Sequence, residues 1–339
     1  MKIFENYNIK EFNTFQLSVK ADKFIIIEND SELKNITNEF SNKFFILGGG
    51  SDVVFTKDFS GTIIKIDTKG INVIKEDENS IWIEVEAGED WDMFVEKTIE
   101  LKGYGLENLS LIPGDVGGSA VQNIGAYGVE AKEFIDSVEY FDIESLELKK
   151  LMNNELKFAY RDSIFKHDLK DKAIITKIVF KLNKQASLKL EYTDVQKVMN
   201  ENGITSENLT PKKLRQIIID IRTLKLEDPK LVGNAGSYFK NPIIPEDKAL
   251  ELQKSYPEMK FNLVDKNDVK LSAGWLIEQA GWKGWTSDNG KYGVSKKHAL
   301  VLVNYSDAKG EDIKYLAESI KASVKEKFGI ELEEEAIQI

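Results

Sequence analysis

LIPGDVGGSAVQNIGAYGVE, residues Leu111–Glu130, is the stretch on which the reading of this chain turns. It holds Gly114, Gly117, Gly118, Gly125 and Gly128 together with Pro113, more backbone punctuation than a helix or strand interior accommodates. The expectation is therefore an ordered loop. Leu111, Ile112, Val116, Val121 and Ile124 are apolar and would root it in a core. Glycine lets backbone N–H groups approach a ligand closely, and successive N–H groups of this kind cradle phosphates. A purely structural turn system is the alternative, because glycine spacing alone is a weak signal. A second cluster, LGGGSDVV at Leu47–Val54, follows the apolar run Phe44–Leu47. Two ordered glycine loops after apolar segments point to a large cofactor that carries a pyrophosphate.

Working outward, composition narrows the classes. A chain of 339 residues holds two or three domains and a substantial core. Its net charge of −11 argues against broad nucleic-acid binding but leaves room for a small anion on a local basic patch. There is no cysteine, which excludes disulfides, thiolate catalysis, iron–sulfur clusters and zinc–thiolate sites. His167 and His298 are the only histidines, so a multi-histidine metal site is not expected. Neither a signal segment nor an apolar run of membrane-spanning length is evident, and the expected location is the cytoplasm.

Along the chain, apolar alternation at Lys23–Ile27 precedes a helix expected near Ser31–Phe40, with Ser31 as its cap and Glu32 in its first turn. Phe44–Leu47, Thr62–Ile66, Asp136–Phe141 and Ala173–Leu182 read as strands, and Ile81–Glu86 alternates as a half-buried strand does. Trp91, Phe94, Val95 and Ile99 recur at helical spacing, with Gly103 as the stop. From Asn183 to Lys213 the sequence is polar and irregular, as at a domain boundary or mobile loop. Leu214, Ile217, Ile218 and Ile221 then make one helical face, followed by a loop-like basic run through Arg222, Lys225 and Lys230. Leu271–Ala280 reads as a helix and Ala299–Val303 as a buried strand. Ile313, Leu316, Ile320, Val324 and Phe328 form an apolar stripe that ends at Gly329. Helices and strands alternate throughout, which places the chain in a mixed α and β class.

Three residues carry candidate chemistry. Ser237, in Asn234-Ala235-Gly236-Ser237, is a nucleophile, a hydroxyl proton donor or a turn serine. The Gly-x-Ser-x-Gly elbow is absent and histidine is scarce, both of which count against a hydrolase. Arg161, in YRDSIFK, binds a carboxylate or phosphate bidentately or pairs with a surface acid. In the run Glu333-Glu334-Glu335, a strand would put Glu333 and Glu335 on one face and Glu334 on the other, so one carboxyl points into a cavity unless all three are solvated. The GNAGSYFKNP stretch, Gly233–Pro242, lies near Lys225, Lys230 and Lys240 and reads as a second anion-handling region.

These motifs together resemble the UDP-N-acetylenolpyruvoylglucosamine reductase family, also called UDP-N-acetylmuramate dehydrogenase, of bacterial peptidoglycan synthesis. The resemblance spans almost the whole chain and rests on LGGGSDVVF, LIPGDVGGSAVQNIGAYGVE, YRDSIFK, GNAGSYFKNP, AGWLIEQAG at Ala273–Gly281 and LEEEA at Leu332–Ala336. The insert around Tyr192 is similar to that of the longer, tyrosine-loop subclass. The resemblance implies an α+β fold: a two-part FAD-binding domain of the vanillyl-alcohol-oxidase-like type, then a smaller α+β substrate-binding domain. The expected boundaries are 1–70 and 71–212 for the two FAD-binding parts, with a tyrosine-bearing insert near 183–210. Residues 213–339 are the expected substrate domain, its last strand returning to the active site.

The same resemblance implies non-covalent FAD, NADPH as hydride source and UDP-N-acetylglucosamine enolpyruvate as substrate, with no metal, no nucleic acid, no membrane and a monomeric state. It places the proton-donating serine on Ser237, the catalytic arginine on Arg161 and the catalytic glutamate on Glu335. Substrate contacts fall on Tyr127, Tyr192, Lys225, Asn241 and His298. Cofactor contacts fall on Gly48, Gly49, Gly50, Ser51, Asp52, Pro113, Gly114, Gly117, Gly118, Ser119, Asn123, Ala126 and Gly128. Two positions depart from the family pattern: Asp52 stands where asparagine is usual, and Ile337 where some relatives carry arginine. In the implied reaction, hydride from flavin N5 adds to C3 of the enol ether and Ser237 protonates C2. Charge that develops on the conjugated carboxylate is met by Arg161 and by a Glu335 that must hold its proton, a state burial favours. A flavin oxidase on a similar scaffold and a non-catalytic nucleotide-binding module are the competing readings.

Overall fold

A computed structural model describes residues 1–339. The chain divides into two compact units, each assembled from separated segments. One unit holds Met1–Tyr7, Lys20–Gly50 and Phe59–Leu224; the other holds Asn8–Val19, Ser51–Asp58 and Lys225–Ile339. No helix is long and apolar enough to cross a membrane.

The first unit contains two sheets. In the smaller, the strands run in the order Lys2–Asn8, Lys20–Ile27, Phe59–Ile66, Phe44–Leu47, and the last three pair in parallel. Their near-continuous apolar character (FIII, TIIKI and FFIL) suits parallel strands covered on both faces. The glycine loop Gly48–Gly50 leaves the end of Phe44–Leu47. The larger sheet is antiparallel, in the order Glu147–Met152, Ile135–Asp142, Ala173–Asn183, Ser80–Glu86, Ile71–Glu76. Ile81, Ile83 and Val85 turn into the core with Phe94, Phe180 and Trp91. The Trp91 indole N–H donates to Leu109 O at 2.8 Å, so this large ring is buried without an orphaned donor.

Several expectations are corrected in this unit. The segment near Ser31–Phe40 is a 3₁₀ helix, Asp30–Ser41, capped by Asn29 rather than Ser31; Asn29 accepts from Ser31 N while Glu32 reaches back to the Asn29 N–H. The Leu111–Glu130 stretch is not loop throughout, since Val116–Gln122 forms a short helix. Gly117 is tolerated there because its missing side chain admits Ala87: a Cβ would stand 3.0 Å from the Ala87 Cβ. Close packing against the neighbouring strand end outweighs the helix penalty of glycine. The Thr193–Glu201 helix occupies part of the region read as irregular, and the helix expected through Leu214, Ile217, Ile218 and Ile221 spans Pro211–Lys225, so Arg222 sits on it rather than in a loop.

The second unit has two small antiparallel sheets. Gly233–Asn234, Leu302–Asn304 and Tyr292–Val294 form one, and Ile243–Pro245, Asp268–Leu271 and Phe261–Leu263 form the other. The Gly310–Phe328 helix buries Ile313, Leu316, Ile320, Val324 and Phe328 and stops at Gly329 in the left-handed conformation. Ile337–Gln338 pairs in parallel with Val53–Val54.

Candidate active site

The two glycine loops of the first unit press against each other. A Cβ on Gly49 would lie 2.5 Å from the Gly114 Cα and 2.9 Å from Asp115 N, so only glycine fits. At Gly118, by contrast, a Cβ would meet nothing within 4 Å. The loops therefore combine a locked backbone at Gly49 with open space at Gly118, an arrangement compatible with backbone N–H groups facing an anion. Ser119 is buried, with its hydroxyl donating to Val116 O at 2.6 Å.

Asn123, with no exposed surface, closes the short helix in a left-handed conformation (φ 44°). Its side chain is committed to the protein: Nδ2 donates to Ala159 O at 2.7 Å and to Glu130 Oε2 at 3.1 Å, and Oδ1 accepts from Lys132 N at 3.0 Å. The carbonyl it grips belongs to a tight turn in which Ala159 and Asp162 exchange backbone bonds of 3.1 and 3.2 Å. Arg161 stands at the apex of that turn with φ 54°. Its guanidinium donates to Gly125 O at 2.6 Å and lies 5.3 Å from the Tyr160 ring. A Cβ on Gly125 would come within 3.0 Å of that guanidinium. The glycine stretch thus positions Arg161. Gly125 and Ala126 form a minimal strand with Val129–Glu130, and Gly128 turns between them at φ 82°.

Tyr127, also left-handed at φ 48°, meets Tyr192 edge to face, 5.1 Å between ring centres. Tyr192 precedes the Thr193–Glu201 helix and stays 45% exposed. Two residues missed by the sequence reading organise this pair. Buried Asn108 donates to Tyr127 O and to Lys189 O, both at 2.9 Å, and so ties the glycine stretch to the tyrosine insert. Arg222 donates from Nε to Leu111 O at 3.3 Å. Burial pushes the Arg222 guanidinium down and the Tyr127 phenol up, while the hydrogen bond and charge attraction between them oppose both shifts. An asparagine in ENLSL carries no local signal; only its full burial reveals the role.

The second unit brings together most of the remaining candidates. Tyr238 O, one residue after Ser237, accepts from Glu335 N at 2.8 Å, and Lys240 N donates to Glu333 O at 2.9 Å. Two distant motifs are thereby stitched side by side. Tyr238 itself is wholly buried, and burial pushes its phenol far up. Tyr238 N donates to Leu300 O at 2.9 Å, and His298 Nδ1 accepts from Leu300 N at 3.2 Å. Asn241 Oδ1 accepts from Ala273 N at 2.9 Å, at the start of the helix whose Gly274 faces His298. Ser237, Asn241, His298 and Glu335 thus occupy one neighbourhood. Of the acidic run, Glu333 is exposed and pairs with Lys240. Glu334 is the more enclosed, with Lys321 at 3.3 Å and Gln338 at 2.6 Å, and Glu335 is half-buried. Ser51 and Asp52, which complete the first glycine loop, belong to this unit, where Asp52 O accepts from Ile337 N at 2.9 Å. Lys225 is exposed at the end of its helix.

The comparisons with known proteins make the chain an FAD-dependent oxidoreductase, an α+β protein with an FAD-binding domain ahead of a smaller α+β domain. A model described as FAD binding domain matches residues 21–145, and one described as UDP-N-acetylenolpyruvoylglucosamine reductase, C-terminal domain, matches residues 227–339. The chain belongs to the UDP-N-acetylenolpyruvoylglucosamine reductase family. It is 46% identical over 337 residues to the enzyme of that name from Flavobacterium johnsoniae, covering 99% of each chain. It is 39% identical to the one from Chromobacterium violaceum, covering 97% of each. The crystal structure of UDP-N-acetylenolpyruvylglucosamine reductase from Thermus caldophilus shares the fold, with a TM-score of 0.66, 22% identity, and coverage of 99% of this chain and 98% of that one.

Proposed function

We propose that this chain reduces UDP-N-acetylglucosamine enolpyruvate to UDP-N-acetylmuramate, with NADPH as donor, in the cytoplasm and as a monomer. The observation that carries the reading is the stitching of the Ser237 and Glu335 motifs, in a chain that matches reductases of this name over nearly its full length. The donor set suits FAD: a locked glycine backbone with an open face at Gly118. Gly48, Gly49, Gly50, Ser51 and Asp52 from one loop, and Pro113, Gly114, Gly117, Gly118, Ser119, Ala126 and Gly128 from the other, would hold it, with Asn123 bracing the second loop. When bound, FAD supplies the hydride transfer from NADPH to C3 of the enolpyruvyl group.

The chain's own residues do the rest. Arg161 pairs with the enolpyruvyl carboxylate, toward which negative charge moves as C3 is reduced. Glu335 donates a hydrogen bond to the same developing charge, which lowers the barrier because both groups are oriented in advance. Ser237 delivers a proton to C2. Lys225 and Asn241 hold phosphate and sugar, His298 flanks the substrate, and Tyr127 supports the Tyr192 segment that closes over the nucleotide. In this account residues 1–70 and 71–212 are the FAD-binding parts, the second also carrying Tyr127, Arg161 and Tyr192 for the substrate, and 213–339 is the substrate domain.

The test is Ser237→Ala, read as two half-reactions. Bleaching of the flavin by NADPH should persist, while recovery on adding the enolpyruvyl nucleotide should slow about 10²–10³-fold, the usual cost of losing one oriented group. Equal loss of both half-reactions would remove Ser237 from the role.

A further inference from the structure

One charged pair at the glycine loops is not used by the mechanism above. Asp115 follows Gly114 and its side chain is 14% exposed. Its Oδ2 accepts a 2.6 Å bond from Nζ of Lys65, whose side chain is 11% exposed and which extends from the Phe59–Ile66 strand. The same ammonium donates to Ile66 O at 2.9 Å. A Cβ on Gly48 would stand 4.0 Å from the Asp115 Oδ2, so the pair sits where the two loops meet. Burial pushes the Asp115 carboxyl up, Lys65 and Lys69 oppose that rise, and Asp67 adds to it.

A carboxylate here is an odd choice for a surface that binds a diphosphate, because like charges in a partly desolvated site repel strongly. It also does not cap the helix that it precedes. Its clear partner is the lysine. We propose that Lys65 is a positioning residue for FAD, supplying through Asp115 the charge balance that lets the paired glycine loops accept the cofactor's diphosphate. Lys65 cancels the carboxylate, and Asp115 holds the ammonium beneath the loops. This rests on the reading of the two loops as the diphosphate cradle.

The arrangement predicts effects of opposite sign. Lys65→Met leaves a buried negative charge beside the cradle, whereas Asp115→Asn leaves a positive one and keeps the side-chain shape. A strut with no electrostatic role would lose similarly from either change. The experiment strips flavin from the full-length protein and titrates FAD back, following quenching of flavin fluorescence. Lys65→Met should weaken FAD binding about 10–100-fold, as expected when one member of a close charge pair is left alone. Asp115→Asn should bind FAD as tightly as the unaltered protein or more tightly. The double variant should return to within about threefold of it, which is the coupling a double-mutant cycle reads. If Lys65→Met does not fold, Asp115→Asn and the double variant still decide the matter. A tenfold weakening in Asp115→Asn, or equal weakening in both single variants, overturns the proposal. Failure of the unaltered protein to take up FAD would instead overturn the cradle reading itself.

Discussion

Replacing Asn123 by alanine removes a side chain that the sequence reading assigned to FAD and that the structure engages with the protein. Three contributions set the size of the effect. Ala159 O loses a 2.7 Å donor and Lys132 N loses a 3.0 Å acceptor. Each is partly buried, so each loss costs about 1 kcal/mol rather than the full penalty of a buried orphan. Alanine must also adopt φ 44°, which asparagine tolerates better, at about 1 kcal/mol. The sum is about 3 kcal/mol. For a unit of roughly 200 residues, 1 kcal/mol shifts the midpoint by about 2–4 °C, which gives about 6–12 °C. Scanning calorimetry at saturating FAD is the assay, because ligand linkage then contributes equally to both proteins. Turnover should fall as well, since the turn that Asn123 grips carries Arg161, while FAD affinity should change little. A midpoint within about 2 °C of the unaltered protein, together with weakened FAD binding, would refute the reasoning. The side chain would then serve the cofactor directly.

Glu335→Ala removes the oriented donor and turnover should drop about 10²–10³-fold; Glu335→Gln keeps a donor, and a near-normal rate for it would show that an ionisable carboxyl is not needed there. Arg215→Met breaks a two-pronged pair with Asp92, bonds of 2.6 and 2.9 Å, that joins the Trp91–Glu100 and Pro211–Lys225 helices. Because the Asp92 side chain keeps 25% exposure and regains some water, the loss should be about 2–3 kcal/mol in denaturant unfolding, and a change under about 0.5 kcal/mol would contradict the assignment. Asp142 is held down at about 2, chiefly by its bond to Lys149 and by the Ser145 N–H. A carboxyl lowered on folding stabilises above its unfolded value, near 4, and loses that contribution as pH falls toward 2. With Lys149 43% exposed, screening leaves about 1 kcal/mol, so the stability gap to Asp142→Asn should close between about pH 4 and 2; a constant gap would refute it.

What was legible in the sequence follows from what periodicity reports. Ile81, Ile83 and Val85 alternate because only one face of their strand enters the core, and the strand is found at Ser80–Glu86. The stripe from Ile313 to Phe328 is an uninterrupted helix face, and the helix is found at Gly310–Phe328. The helix inside the glycine stretch was hidden because its glycines answer to Ala87 across the interior, not to local propensity. Asn29 differs, since Asn29 and Glu32 form a local capping pair three residues apart, and the sequence reading places the cap two residues late, on Ser31. The adjacency of Ser237 and Glu335 rests on backbone bonds between segments about a hundred residues apart, which no local pattern encodes. Motif resemblance supplied those residues, and the fold supplies the reason they belong together. Asn108, Arg222 and Lys65 lie outside the motifs that carry the resemblance, and they and the partner of Asp115 become visible only through burial and bond partners.

The most direct test of the account is an anaerobic visible spectrum of the full-length protein loaded with FAD, to which NADPH and then UDP-N-acetylglucosamine enolpyruvate are added. The account predicts that flavin absorbance bleaches with NADPH and returns with the enolpyruvyl nucleotide. Absorbance that bleaches and stays bleached would contradict the assigned substrate.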